Sequence, residues 1–189
     1  MEMNHKTTVH TSHYAVKGTV IALAAVLGMG VASADPVGNS YKVATMPQVK
    51  SMLKQDSGKV SGNTVIYTGK KVHVVVAAVL PGFPFPSYEI HDVKNPTLKI
   101  PAGATVDVTF INTNKGFGHS FDITKKGPPF AVMPNIKPIV AGTGFSPVPK
   151  DGKFGYSEFT WHPTAGTYYY VCQIPGHAAT GMFGKIIVK

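Results

Sequence analysis

"ATVDVTFINTN", Ala104 to Asn114, sets apolar Val106, Val108 and Phe110 in alternation with polar Thr105, Asp107 and Thr109. Side chains on an extended strand point to opposite faces in turn, so this period of two predicts a strand with one buried face. The same texture recurs on either side. Upstream lie "TVIYTG", "KVHVVVAAVL", "SYEIHDV" and "PTLKIPAG"; downstream lie "HSFDITKKG", "YSEFTWHP", "GTYYYVCQI" and "MFGKIIVK". These runs are rich in Val, Ile, Thr, Tyr and Phe, and Gly, Pro and Asn bound them. Roughly nine short strands at this spacing predict an all-β chain folded as a two-sheet sandwich or closed barrel. "KVHVVVAAVL" is apolar almost throughout, which predicts burial on both of its faces.

Two stretches break the rhythm. Residues 46–56, "MPQVKSMLKQD", predict a helix: Pro47 suits a first turn, and Val49, Met52 and Leu53 recur at helical spacing before Gly58 ends it. From Gly127 to Gly155 the chain is dense in Pro and Gly and predicts a long functional loop. Its apolar residues, Phe130, Val132, Met133, Ile136, Ile139, Val140 and Phe145, predict that it packs over the sandwich.

The first residues have the layout of an export signal. Lys6 and Lys17 precede the apolar run "TVIALAAVLGMGV", and Ala32-Ser33-Ala34 supplies a small-residue cleavage pattern. The run is shorter than the roughly 20 residues of a spanning helix. A cleaved signal peptide is therefore expected over residues 1–34, with 35–189 as a single domain and no membrane insertion. A domain of about 150 residues buries roughly 70% of the surface it would expose unfolded, enough to stand without disulfides. With one cysteine in the sequence, it can form none within the chain.

The 189 residues carry 18 Lys and Arg against 9 Asp and Glu, a formal charge of +9. Every one of those basic residues is lysine, scattered, with no run longer than Lys70-Lys71 or Lys125-Lys126. Lacking arginine, the chain lacks the side chain best suited to bidentate contacts with phosphate and guanine, so nucleic-acid binding is not expected. So few carboxylates also leave little stability to lose when they protonate, and tolerance of acid is expected.

An exported chain with one free thiol carries a liability, because such a thiol oxidises or cross-links. Cys172 ends a β-rich segment, Pro175-Gly176 turns the chain, His177 follows, and a turn at Gly181 leads to Met182. One tight loop thus presents a thiolate, an imidazole and a thioether. "GFGHSFDI" supplies a second imidazole: His119 stands directly after a Gly-rich turn, where a strand begins. Two imidazoles, one thiolate and one weak, long thioether form the ligand set of a blue-copper electron-transfer centre. His73, His91 and His162 read as structural, and Met46, Met52 and Met133 as packing.

Cys-x4-His-x4-Met near the C-terminus, with an upstream histidine before a strand, resembles the cupredoxins. "GFGHSFDITKKGPPFAVMP" and "YYYVCQIPGHAATGMFGKI" are similar to their periplasmic members from acidophilic iron oxidisers, and the likeness covers residues 35–189. It implies a Greek-key β-sandwich with a helix-bearing N-terminal extension, and one type 1 copper ion held by His119, Cys172, His177 and Met182. It also implies a monomeric periplasmic one-electron carrier whose partners are c-type cytochromes or other redox proteins. Many cupredoxins have Asn after the first histidine; Ser120 stands there instead, leaving open how the Cys172 sulfur is hydrogen-bonded. Apolar Phe117, Ile174, Pro175, Ala178, Ala179 and Phe183 predict a dry site, with the edge of His177 facing solvent in an apolar patch.

Other readings are weaker. A copper oxidase or nitrite-reducing enzyme commonly flanks the cysteine with histidines, whereas Val171 and Gln173 stand there, and a binuclear centre needs a second cysteine. A Cys–His nucleophile pair would leave Met182 without a purpose. Copper storage or delivery favours open sites rich in methionine or thiols. Structural zinc gains nothing from a thioether.

Overall fold

The computed structural model describes residues 41–189; the predicted export segment, residues 1–34, lies outside them. The described chain begins with β1 (Lys42–Thr45), α1 (Met46–Leu53), β2 (Lys59–Ser61), β3 (Thr64–Ile66), β4 (Lys71–Ala78), β5 (Tyr88–Ile90) and β6 (Val93–Lys94). It continues with β7 (Thr97–Ile100), β8 (Thr105–Asn112), β9 (His119–Thr124), β10 (Ile139–Ser146), β11 (Lys153–Trp161), β12 (Gly166–Val171) and β13 (Phe183–Val188).

The strands form two sheets, one ordered β1-β11-β8-β4-β5-β6 and the other β10-β9-β12-β13-β7-β3-β2. The alternating strand β8 lies inside the first, antiparallel to β11 and parallel to β4, with Val106, Val108 and Phe110 beside Val72, Val74 and Val76. These side chains meet Leu98, Phe121, Ile123, Tyr168, Tyr170 and Ile186 of the second sheet in one core. Phe110 is fully buried; truncating such a ring to Ala costs about 3–5 kcal/mol. This is the two-sheet sandwich that the strand texture predicts, with mixed parallel and antiparallel pairs.

β4 is buried on both faces because α1 covers the outer one. Val49 of the helix packs on Ala44, Val75, Ile111 and Phe154, while Val74 and Val76 face the central core. The helix starts where Gln48 Oε1 accepts from the Thr45 N–H (2.8 Å) and hydroxyl (2.9 Å), satisfying groups that a helix N-terminus leaves open. It stops at Leu53, short of the predicted Asp56, because Asp56 has another task. Its carboxylate accepts from Gly58 N (2.8 Å), Tyr67 Oη (3.0 Å), Val75 N (2.7 Å) and His91 Nε2 (2.7 Å), tying the helical extension to the sandwich.

The stretch predicted as one long loop, Gly127 to Gly155, is a correction. Its first part and residues 147–152 are irregular, but between them β10 pairs with β9, and β11 has begun by Lys153. The register shifts between Ile139 and Ala141 and again between Gly142 and Phe145, which erases the period of two. Gly142 is required there, since a Cβ would stand 2.3 Å from Asp122 Oδ1. Phe130 and Ile136 do pack over the sheet, onto Val171 and Ala178, but Val132, Met133 and Phe145 are exposed. No helix among the described residues is long and apolar enough to cross a membrane.

Candidate metal centre

His119 opens β9, and the turn before it is fixed from several sides. Asn112 Nδ2 donates to the carbonyls of Phe117 (3.1 Å) and Pro147 (2.8 Å), and Asn114 Oδ1 accepts from Gly116 N (2.8 Å). The Asn114 carboxamide also lies 3.0 Å from His119 Nε2, which leaves Nδ1 as the nitrogen turned to the centre. Gly118 allows the turn to lie against β10: a Cβ there would come 2.3 Å from the Phe145 ring and 2.9 Å from the Ser146 carbonyl.

The other donors come from the loop joining β12 to β13. Cys172 N donates to Met182 O (3.2 Å), Met182 N to His177 O (2.9 Å), and His177 N to Ile174 O (3.1 Å), closing the loop on itself. Gly176 and Gly181 take φ of 84° and 108°, turns that glycine makes without steric cost. Gly176 N also donates to Val132 O at 2.7 Å, strapping the irregular segment onto the loop.

The result is convergent. Cys172 Sγ lies 3.7 Å from His119 Nδ1 and 3.5 Å from His177 Nδ1, and the three donor atoms all fall within 4.8 Å of one another. A metal bonded to sulfur at about 2.3 Å and to nitrogen at about 2.0 Å, at a near-tetrahedral angle, sets S and N about 3.5 Å apart. The separations therefore fit one ion held by all three. Met182 is fully buried beside Cys172 in the central core. His73, His91 and His162 are elsewhere, with Thr109, Asp56 and Thr105 as partners.

The sulfur accepts from the Ser120 backbone N–H at 3.5 Å, while the Ser120 hydroxyl oxygen accepts from Gln173 N at 2.9 Å. Tyr88 Oη donates to the Ser120 carbonyl, holding that residue from behind. The hydrogen bond that sequence left open is thus a backbone one, and the serine side chain braces the ligand loop.

Burial sets the protonation states. It lowers His119 to about 3, helped by the neighbouring His177, and it lowers His177 as well. It raises the Cys172 thiol to about 11, against hydrogen bonds that favour the thiolate. Both shifts favour the neutral imidazoles that ligate a cation, and a cation's charge offsets the burial that holds the proton on the thiol.

Two expectations about the surroundings change. The Phe85 ring, which sequence reading missed, stacks on Phe117 (centroids 5.0 Å apart) and meets the His177 ring edge-on at 5.1 Å. The signal for it was a pair of phenylalanines in "PGFPF", a Pro-rich stretch with no strand period to explain them. His177 itself is 6% exposed, and its ring lies against the exposed rings of Phe85 and Phe117. Met133, predicted to pack, is 73% exposed, and Ala179 is exposed while Ala178 is buried.

The chain matches the family model described as copper binding proteins, plastocyanin/azurin family, over residues 92–189. It is 75% identical over 187 residues to a rusticyanin from Acidithiobacillus ferridurans, covering 99% of this chain and all of that one. To a rusticyanin from Acidithiobacillus ferrooxidans it is 89% identical over 150 residues, 79% of this chain and 97% of the relative. A solved rusticyanin structure from Thiobacillus ferrooxidans superposes with a TM-score of 0.80 at 81% identity, covering 81% of this chain and 99% of that one. Convergent donors, fold and likeness agree: the chain belongs to the rusticyanins, non-catalytic electron carriers of the plastocyanin/azurin family of copper-binding proteins.

Proposed function

We propose that this chain is a monomeric periplasmic shuttle, passing single electrons between c-type cytochromes or other redox proteins of an iron-oxidising respiratory chain in an acidic habitat. One copper ion is held by His119, Cys172 and His177 and, more weakly, by Met182. The observation that carries this reading is the meeting of two imidazole nitrogens and one sulfur within 4.8 Å in a buried site. The export layout of residues 1–34 supports the periplasm.

Bound copper supplies a Cu(II)/Cu(I) couple. The chain's own residues supply the rest. Strand ends and a self-bonded loop hold the donors in place, so little rearranges when the charge changes. Phe85 and Phe117 shield the imidazoles from water, and a dry site favours the less charged oxidation state. The Ser120 N–H withdraws charge from the sulfur, with the same effect. The exposed patch of Phe85, Phe117, Val132 and Met133 offers partners an apolar landing close to His177.

The weak fourth ligand is tested by Met182→Gln. A hard amide oxygen in place of a soft thioether favours Cu(II), so the reduction potential falls while copper stays bound and the protein stays blue. An unchanged potential would remove Met182 from the centre.

A further inference from the structure

The four donors differ in what can hold them. His119 has a ring nitrogen against the Asn114 carboxamide, and the Cys172 sulfur accepts from Ser120 N. A thioether is a weak acceptor and no donor, so polar neighbours cannot aim it. Its bond to copper is also weak and long and pulls little on the chain. Where Met182 stands is therefore set by packing and by the backbone that carries it.

That backbone is a tight turn with Met182 at its apex. Phe183 N donates to Gly181 O at 2.8 Å, closing the turn over three residues. The same Gly181 carbonyl accepts from Asn95 Nδ2 at 2.9 Å. Asn95 belongs to neither ligand-bearing strand: it follows β6, at the edge of the six-stranded sheet. It is fixed there twice, its N–H donating to Tyr88 O (2.8 Å) and its Oδ1 accepting from Tyr88 N (2.9 Å). Its φ of 45° is a left-handed conformation that asparagine adopts more readily than most residues. Tyr88 in turn is fully buried against the rings of Phe110, Phe121 and Tyr170, and its Oη donates to the Ser120 carbonyl. One short hairpin, from β5 to Asn95, thus reaches both the residue that bonds the sulfur and the turn that presents Met182.

We infer that Asn95 is a positioning residue for the centre: its carboxamide pins the Gly181 carbonyl and so sets where Met182 stands, an inference that rests on the proposed copper site. The two ends of the amide do different work. Oδ1 anchors the residue to its own hairpin, and Nδ2 reaches across to the ligand loop. Held from outside its loop, Met182 keeps one place in both oxidation states, which keeps rearrangement on electron transfer small.

Two variants isolate the bond. Asn95→Gly removes the carboxamide without strain at positive φ. Asn95→Asp keeps the acceptor for Tyr88 N but, ionised at pH 7, has no N–H to give Gly181 O. Thr124→Val is the control. It also strips two hydrogen bonds from a buried side chain, one to Pro138 O (2.8 Å) and one from Lys126 N (3.1 Å), at the far end of β9 from His119. In the metal-free protein, the Met182 amide exchanges hydrogen about tenfold faster in both Asn95 variants, relative to the core amide of Val108, and not in Thr124→Val. Loaded with copper, both Asn95 variants yield the ion to a chelator about tenfold more readily. They also exchange electrons between their own oxidised and reduced forms about tenfold more slowly, with a shifted visible spectrum. Wild-type spectrum and electron exchange in either Asn95 variant would overturn the inference. So would equal changes in Thr124→Val, which would reduce the effect to general stability. Because amide exchange is read without metal, a wild type that binds no copper counts against the copper centre, whereas an unchanged Met182 amide counts against Asn95.

Discussion

Among the described residues, the clusters at Asp56 and at Cys172 each gather histidine with an acidic group, and they end differently. At Asp56 both carboxylate oxygens are met by protein donors, Gly58 N and His91 Nε2 on one, Tyr67 Oη and Val75 N on the other. At Cys172 two imidazole nitrogens and a sulfur point at one another, and the Ser120 backbone N–H reaches the sulfur. The first cluster completes its hydrogen bonds internally and joins the helix to the sandwich. The second turns its donor atoms toward one another at separations that suit a single ion. Burial of polar atoms does not distinguish a functional site from a structural one; where their lone pairs go does.

The comparison breaks most visibly at Cys172. Cys172→Ser replaces the soft donor, and we expect loss of the blue colour and of tight copper binding, with the fold retained. Visible absorption and metal analysis check this. A blue, copper-loaded serine variant would erase the distinction between the clusters.

Next in size is Asp56→Ala. It strands four donors in a site where the carboxylate is 1% exposed. We expect a loss of about 3 kcal/mol in urea unfolding with no change in colour or reduction potential, because this cluster serves the fold alone. A shifted potential would couple the two regions.

What could be read from sequence follows the same division. The strand β8 was legible because Val106, Val108 and Phe110 alternate without interruption, and β4 because its apolar run leaves no face for water. β10 was not, since two register shifts and the glycines at 142 and 144 break the period that marks a strand. The donors at 119, 172 and 177 were legible as residue types at a strand start and in one tight loop, because metal chemistry restricts which side chains serve. Phe85 was hidden: it reaches the site from a proline-rich connection with no period of its own. The sulfur's hydrogen bond was hidden too, since a backbone N–H donor is a matter of register and not of residue identity.

A third test sharpens the comparison by pH. In the metal-free protein, burial holds His119 at about 3, whereas an unfolded histidine titrates near 6.5. The unfolded state therefore takes up a proton that the folded state refuses, and stability is lost as pH falls from about 6.5 towards about 3. Glu89 and Asp122 act in the opposite sense. Burial raises both, so the folded state protonates first and gains stability as pH falls through their raised values. We expect metal-free His119→Asn to lose less stability than metal-free wild type between pH 6.5 and pH 3.5, read by urea midpoints. Equal losses would place the acid sensitivity elsewhere.

Electron paramagnetic resonance of the copper(II)-loaded protein tests the central claim most directly. If His119, Cys172 and His177 hold one copper, the unpaired spin spreads onto the Cys172 sulfur, the copper hyperfine splitting is narrow, and the solution is intensely blue and bleaches on reduction. A wide splitting from a pale solution would mean that the sulfur is not bound and that the convergence of these donors has another purpose.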